Sequence, residues 1–246
     1  MRIGILRTDS VRPEFQTEFG DYPAMFRAVL TASADDVPIE FRDYDVQAGE
    51  YPASLDECDA YLITGSRHSV YEDQPWIHRL ADFVRELDAA RHKLVGICFG
   101  HQLIAHTLGG ETRAAEQGWA VGVQDTWVLS PTEWMLPYRE RFGLLSSHKD
   151  QVVRLPERAE LFAATDFCPN SGFTIGEHIL TFQGHPEFTK GYSRALLDLR
   201  REMLGDPRYT KGVESLEEPV HPSVVGRWII NFIAAGERDD TASERH

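Results

Sequence analysis

The stretch that most narrows the folds open to this 246-residue chain is Gly96-Ile97-Cys98-Phe99-Gly100-His101-Gln102. Leu94 to Ile97 is an apolar run suited to a buried strand, and Leu103, Ile104, Ala105 and Leu108 continue as a helix that ends at Gly109-Gly110. A strand that becomes a helix within a few residues, with glycine on either side of a cysteine, is the elbow that presents a nucleophile. Glycines suit such a turn because it leaves little room for Cβ atoms. At the first turn of a helix a thiol faces unpaired N–H groups and the positive end of the helix dipole, and both lower a thiol's pKa. A buried structural cysteine is the competing reading. The elbow alone leaves both open.

A second stretch separates them. Thr181-Phe182-Gln183-Gly184-His185-Pro186-Glu187-Phe188 follows the apolar run His178-Ile179-Leu180. In an extended segment residues two apart point the same way, so His185 and Glu187 converge on one point. They supply a base for Cys98 and an acid to orient that base. Taken singly, each is as well explained by a surface histidine or a solvated glutamate. Both together, beside a cysteine elbow, make Cys98, His185 and Glu187 the candidate catalytic set.

These two blocks, in this order, resemble the signature blocks of the class I (triad-type) glutamine amidotransferases. The likeness is closest to the stand-alone, GMP-synthase-like branch and runs from about Met1 to about Ile233. It implies an α/β fold of three layers, α/β/α and flavodoxin-like, with a central mostly parallel sheet and a small antiparallel ribbon. The implied reaction is hydrolysis of the L-glutamine side-chain amide through a γ-glutamyl thioester on Cys98, releasing glutamate and ammonia. The oxyanion hole would use backbone N–H groups of Phe99 and of the Gly65–Ser66 loop, where Ser66 replaces a glycine frequent in the family. Gln102 stands where the family's elbow glutamine contacts substrate. Leu144 to Val152 resembles a Ser-His-x-Asp-x-Val block, which assigns His148, Lys149 and Asp150 to the substrate's amino-acid end, with Lys149 in place of the family's glycine. His148 also has an acid two residues on, but no apolar strand leads straight into it, so His185 is the expected base.

The rest of the chain fits an alternation of strands and helices, which implies a mostly parallel sheet covered on both faces. Arg2 to Leu6 reads as a first strand, followed by a long polar loop from Arg7 to Asp21, unusual in a compact domain unless functional. Met25, Phe26, Val29 and Leu30 mark a helix; strands follow at Pro38–Phe41 and Ala60–Ile63; Pro75 opens an amphipathic helix. Gly118 to Val123 is expected to pair with Trp127-Val128-Leu129 as an antiparallel ribbon, and Trp119, Trp127 and Trp134 either line a pocket or pack. Two helices are expected to close the chain, joined by a polar surface loop from Gly205 to Glu218. The expected organisation is one domain over 1–236 and a disordered polar tail over 237–246.

Composition removes several function classes. A formal charge of −14 and the absence of long basic runs argue against nucleic acid as a partner. The nearest basic groups are Arg91-His92-Lys93 and Arg200-Arg201, the latter with acids close by on its helix. Three widely spaced cysteines suit a reducing compartment, and no CxxC pair suggests a metal. No signal peptide and no bilayer-length apolar run is evident, so a soluble cytoplasmic protein without a membrane partner is expected. No cofactor is expected, and no phosphate-binding glycine loop is present. Delivery of ammonia to an acceptor would therefore require a separate synthetase subunit. Three rivals stand beside the glutamine reading. One is a γ-glutamyl peptide or amide hydrolase acting alone. Another is an α/β-hydrolase with a cysteine elbow, disfavoured because its acid precedes its histidine. The last is a non-catalytic subunit or binding module.

Overall fold

A computed structural model of the chain describes residues 1–35 and 37–235. The polar stretch 237–246, expected to be a disordered tail, lies outside the described residues. In chain order the elements are β1 (Arg2–Arg7), α1 (Pro13–Phe19), α2 (Tyr22–Ser33), β2 (Glu40–Asp45), β3 (Ala60–Ile63), α3 (Pro75–Ala89), β4 (Lys93–Ile97) and α4 (Phe99–Thr107). Then come β5 (Glu111–Ala114), β6 (Ala120–Val128), β7 (Arg141–His148), β8 (Asp150–Arg154), β9 (Ala159–Ala164), β10 (Gly172–Ile175) and β11 (Ile179–Phe182). Four helices close the described chain: α5 (Lys190–Leu199), α6 (Arg201–Leu204), α7 (Asp206–Ser215) and α8 (Pro222–Ala234).

Nine strands form one sheet in the order β2-β1-β3-β4-β11-β10-β9-β6-β7. The first five are parallel, and the sheet continues through antiparallel pairings. The central strands are apolar on both faces because helices cover both. Ile3, Ile5, Leu62, Val95, Ile97 and Leu180 face α2 and α8, where Phe26, Leu30 and Trp228 meet them. Their alternates Leu6, Tyr61, Ile63, Leu94 and Ile179 face Leu80 and Phe83 of α3 and Leu103 and Ile104 of α4. Each such side chain, fully buried, contributes about 1.5–3 kcal/mol. This is the expected three-layer α/β/α fold, and β5 with β8 supplies its small antiparallel ribbon.

Several local expectations change. The polar segment after β1 contains α1, started by Pro13 at a position that needs no N–H. None of its residues is buried, but Phe15 docks edge-on and Phe19 at a tilt against Tyr192 of α5. Gln124-Asp125-Thr126 reads as a turn in sequence, yet these residues pair with Leu144, Gly143 and Phe142, so β6 is one strand of the main sheet and no hairpin forms there. The polar run after Gly205 folds as α7, with Asp206 and Pro207 in its first turn. The tryptophans part company: Trp134 packs edge-on against Phe162, Trp228 and Phe232, whereas Trp119 and Trp127 border a groove beside α7. Among the described residues no helix is long and apolar enough to cross a membrane, and no cluster of His, Cys, Asp and Glu is suited to a metal ion.

Candidate active site

The parallel strands deliver their carboxyl ends to one edge of the sheet, where open α/β folds bind ligands. Register brings three loops out side by side, because Ile63 pairs with Gly96 and Phe182 with Ile97. Those loops carry Gly65, Cys98 and His185.

Cys98 sits between β4 and α4 with φ 53° and ψ −98°, a conformation costing a non-glycine residue on the order of 1–3 kcal/mol. The surroundings hold it there. Its N–H donates to the Phe182 carbonyl at 2.9 Å, and its carbonyl accepts from Gln102 N–H at 3.0 Å. A Cβ on Gly96 would lie 2.7 Å from the Gly100 carbonyl carbon, and one on Gly100 would lie 2.6 Å from the Ile63 oxygen. The glycine–cysteine–glycine spacing is thus a packing requirement of the elbow. The other two cysteines are buried thiols pushed up by that burial, Cys168 to about 12.

The third loop closes over the same point. A Cβ on Gly65 would fall 2.9 Å from His185 Cε1 and 3.7 Å from Cys98 Cβ, so loop, imidazole and elbow meet within van der Waals reach. Thr8 fixes this loop: its hydroxyl donates to the Gly65 carbonyl at 2.9 Å, and its N–H donates to Thr64 Oγ1 at 3.0 Å. Ser66 donates its hydroxyl to the Thr8 carbonyl at 3.2 Å.

His185 Nδ1 lies 2.7 Å from Glu187 Oε1, as their spacing predicts, and the Glu187 side chain is wholly buried. The backbone N–H of His185 donates to the Leu145 carbonyl at 2.8 Å, which pins the segment to β7. Phe188 stacks on the ring at 3.8 Å between centroids and 11° between planes. Burial opposes charge on this imidazole, but the Glu187 carboxylate and the Cys98 sulfur outweigh it and raise the pKa to about 10.

The remaining expected residues lie behind this point. Contrary to the reading that no apolar strand leads into His148, β7 runs straight to it with Phe142, Leu144 and Leu145 buried. His148 donates Nδ1–H to the Asp150 carbonyl at 3.0 Å, and burial pushes its pKa down to about 4. The Asp150 carboxylate accepts from the Ser69 hydroxyl. Gln102 is buried and donates its amide to the Asp150 carbonyl at 2.7 Å and to Gln183 Oε1 at 3.0 Å. Lys149 is exposed, and its carbonyl accepts from Ala115 N–H at 2.8 Å.

Cys98, His185, Gly65 and Ser66 open into a cleft of about 260 Å³, whereas Gln102, His148, Lys149 and Asp150 are not among its lining residues. Its other walls come from residues that the sequence did not assign to a site. Asp9, Ser10 and Arg12 belong to the polar stretch whose length already pointed to function; Ser147 lies next to the end of β7; Tyr192, Leu196 and Arg200 come from α5 and its end.

The family model described as glutamine amidotransferase class-I matches residues 27–198. Gamma-glutamyl peptidase 3 of Arabidopsis thaliana is 31% identical over 71% of this chain and 74% of its own length. A glutamine amidotransferase-like protein of Schizosaccharomyces pombe is 28% identical over 94% of this chain and 98% of its own. Among solved structures, a glutamine amidotransferase from Thermotoga maritima has the same fold, with a TM-score of 0.70 at 20% identity over 96% of each chain.

Proposed function

Because this chain belongs to the class-I glutamine amidotransferases and is an enzyme of that hydrolase and amidotransferase family, we propose that it cleaves γ-glutamyl amides, L-glutamine included, through a thioester on Cys98. The observation that carries this reading is the convergence of a strained cysteine elbow with a buried, carboxylate-bound histidine beneath one glycine loop.

The Cys98 sulfur attacks the amide carbon. Negative charge gathers on the former carbonyl oxygen and is met by the N–H of Phe99 and an N–H of the Gly65–Ser66 loop, each donor worth roughly 3–4 kcal/mol in such holes. With its pKa held at about 10, His185 carries the proton that the departing amine needs. The C–N bond breaks and a γ-glutamyl thioester remains. His185, now neutral, takes a proton from water, the hydroxide adds to the thioester carbon, and collapse frees glutamate and the Cys98 sulfur. Glu187 keeps Nδ1–H bound and offsets the imidazolium charge. Gln102, His148 and Asp150 act from behind, bracing α4 against β8 through the Asp150 carbonyl.

The purified chain incubated with glutamine should release ammonia without any partner, and Cys98→Ser should abolish it while keeping the fold. Mass spectrometry should find a glutamyl adduct on Cys98 after rapid quenching. Activity surviving in Cys98→Ser, or an adduct on Cys58 or Cys168, would overturn the reading. Delivery of ammonia to an acceptor on a separate synthetase subunit belongs to the same proposal, and stimulation of turnover by such a partner is its test.

A second reading, release of an amino acid or peptide from a γ-glutamyl linkage by the chain alone, is favoured by the apolar wall of the cleft. Phe188, Leu196, Leu199 and Met203 line the space beside Cys98, and ammonia as a leaving group has no use for apolar contact.

A further inference from the structure

Arg200 is the one arginine of the cleft that has no acidic partner among the described residues. Arg67 is bound to Asp9 at 2.8 Å and Arg12 to Glu14 at 2.6 Å. On either side of Arg200 along the chain, Arg194 pairs with Asp198 at 3.0 Å and Arg201 with Asp206 at 3.1 Å. Arg200 turns the other way, into the cleft that holds Cys98. Its guanidinium lies over the Trp119 ring at 4.8 Å from the centroid, and Nη1 donates to the Ser147 hydroxyl. The stack and the single bond fix its plane while Nε and Nη2 meet no acceptor among the described residues. That edge is the one that grips a carboxylate with two parallel hydrogen bonds. Holding a guanidinium half-buried without a counter-charge is costly, and burial accordingly lowers its pKa. A ligand anion would remove that cost.

The wall around Arg200 says which anion. Leu196, Leu199 and Met203 border the same space, and Leu199 and Met203 are 43% and 65% exposed at its rim. An apolar rim with one fixed cation matches an amino acid or short peptide that ends in a free carboxylate. It does not match ammonia.

Resting on the hydrolase reading above, we propose that Arg200 binds the carboxylate of the leaving amine, so that the preferred substrates are γ-glutamyl amino acids or peptides with a free C-terminus. Arg200 is then a specificity residue that touches substrate outside the reacting atoms. A charge-assisted pair of this kind corresponds to a factor of about 10–100 in affinity.

The test measures glutamate release from γ-glutamylalanine, γ-glutamylalaninamide and glutamine by the wild-type chain, Arg200→Gln and Arg200→Lys. The wild type should prefer the free acid to its amide by about 10–100-fold in kcat/KM. Arg200→Gln should lose at least about tenfold more on the free acid than on the other two, through KM, and Arg200→Lys should recover part of it. A wild type indifferent to the carboxylate, or equal losses on all three substrates, would overturn the assignment, the latter by placing the guanidinium at the acyl end or in the scaffold. Should Arg200→Gln fail to fold, Arg200→Lys and the wild-type preference still decide. If the wild type cleaves none of the three, the hydrolase reading falls separately. Calorimetry of γ-glutamylalanine against its amide on Cys98→Ser then reads Arg200 alone, and equal affinities would overturn it.

Discussion

His185-Pro186-Glu187 and His148-Lys149-Asp150 carry the same pattern, a buried histidine followed two residues later by an acid, yet their rings hold opposite charge states. Both imidazoles are 4% exposed. One has its pKa raised to about 10 and the other lowered to about 4. The difference lies in which oxygen meets Nδ1. Glu187 presents its carboxylate, whereas Asp150 presents its backbone carbonyl and turns its carboxylate to Ser69. A full negative charge outweighs the cost of burying an imidazolium; a carbonyl dipole does not. Pro186 also stiffens one segment by fixing φ near −65°, while the other segment is a sharp passage from β7 to β8. Identical spacing therefore yields a ring that favours its protonated form in one place and a neutral ring in the other.

The largest expected effect would break this comparison outright. His185→Ala should lower kcat by about 10²–10⁴, the range of general acid–base catalysis, while His148→Ala should leave kcat within a few fold and lower the melting temperature. Steady-state kinetics and thermal melts on both variants check this, and equal kcat losses would mean that the two rings share one role.

Smaller, and sharper in what it separates, is exchange of the acids. Glu187→Gln should cost about 10–100-fold in kcat with KM little changed, the worth of one charge-assisted hydrogen bond. It should also bring the His185 titration, followed by NMR, down from about 10. Asp150→Asn should leave the His148 titration in place, because the group on that ring is a carbonyl. Movement of both titrations, or of neither, would contradict the geometry.

The effect that leaves turnover untouched is on stability, and it has opposite signs at the two sites. Unfolded His148 takes up a proton near 6.5 but the folded ring only near about 4, so stability falls as pH drops through that interval, by about 3 kcal/mol. His101, driven by burial to about 3, adds to the same loss. The His185 contribution is whole below 6.5 and is lost as pH climbs toward about 10. Urea melts from pH 4 to pH 10 should show both limbs, and His148→Gln should flatten only the acid one.

Cys98, His185 and Glu187 are legible in the sequence because short-range geometry ties them together: glycines two residues either side of the thiol, and two side chains on one side of an extended segment. The layered fold is legible for the same kind of reason, in apolar runs of strand length alternating with helical stripes. What stays hidden depends on partners distant in sequence. The strand into His148 is obscured by Gly143, Ser146 and Ser147, polar or small residues that pair with β6 and are mostly buried. Helix α7 looks like loop because its apolar face is only Tyr209 and Val213 against a neighbour. Arg200 looks neutralised by Asp198, but Arg194 and Tyr209 claim that carboxylate. The residues after His148 resemble a substrate loop, and in the fold the Asp150 carbonyl accepts from Gln102 and His148, its carboxylate from Ser69, and the Lys149 carbonyl from Ala115.

Strand β11 lies between β4 and β10 and, among the described residues, is the strand that joins the parallel and antiparallel halves of the sheet. It is also the strand that delivers His185. During synthesis on the ribosome the elbow emerges long before β11, so a nascent chain carries its thiol without the histidine beside it. The same holds in refolding, where pairing between strands far apart in sequence is slow to form. Turnover therefore requires β11 to be paired beside β4, and the recovery of activity in refolding reports that pairing.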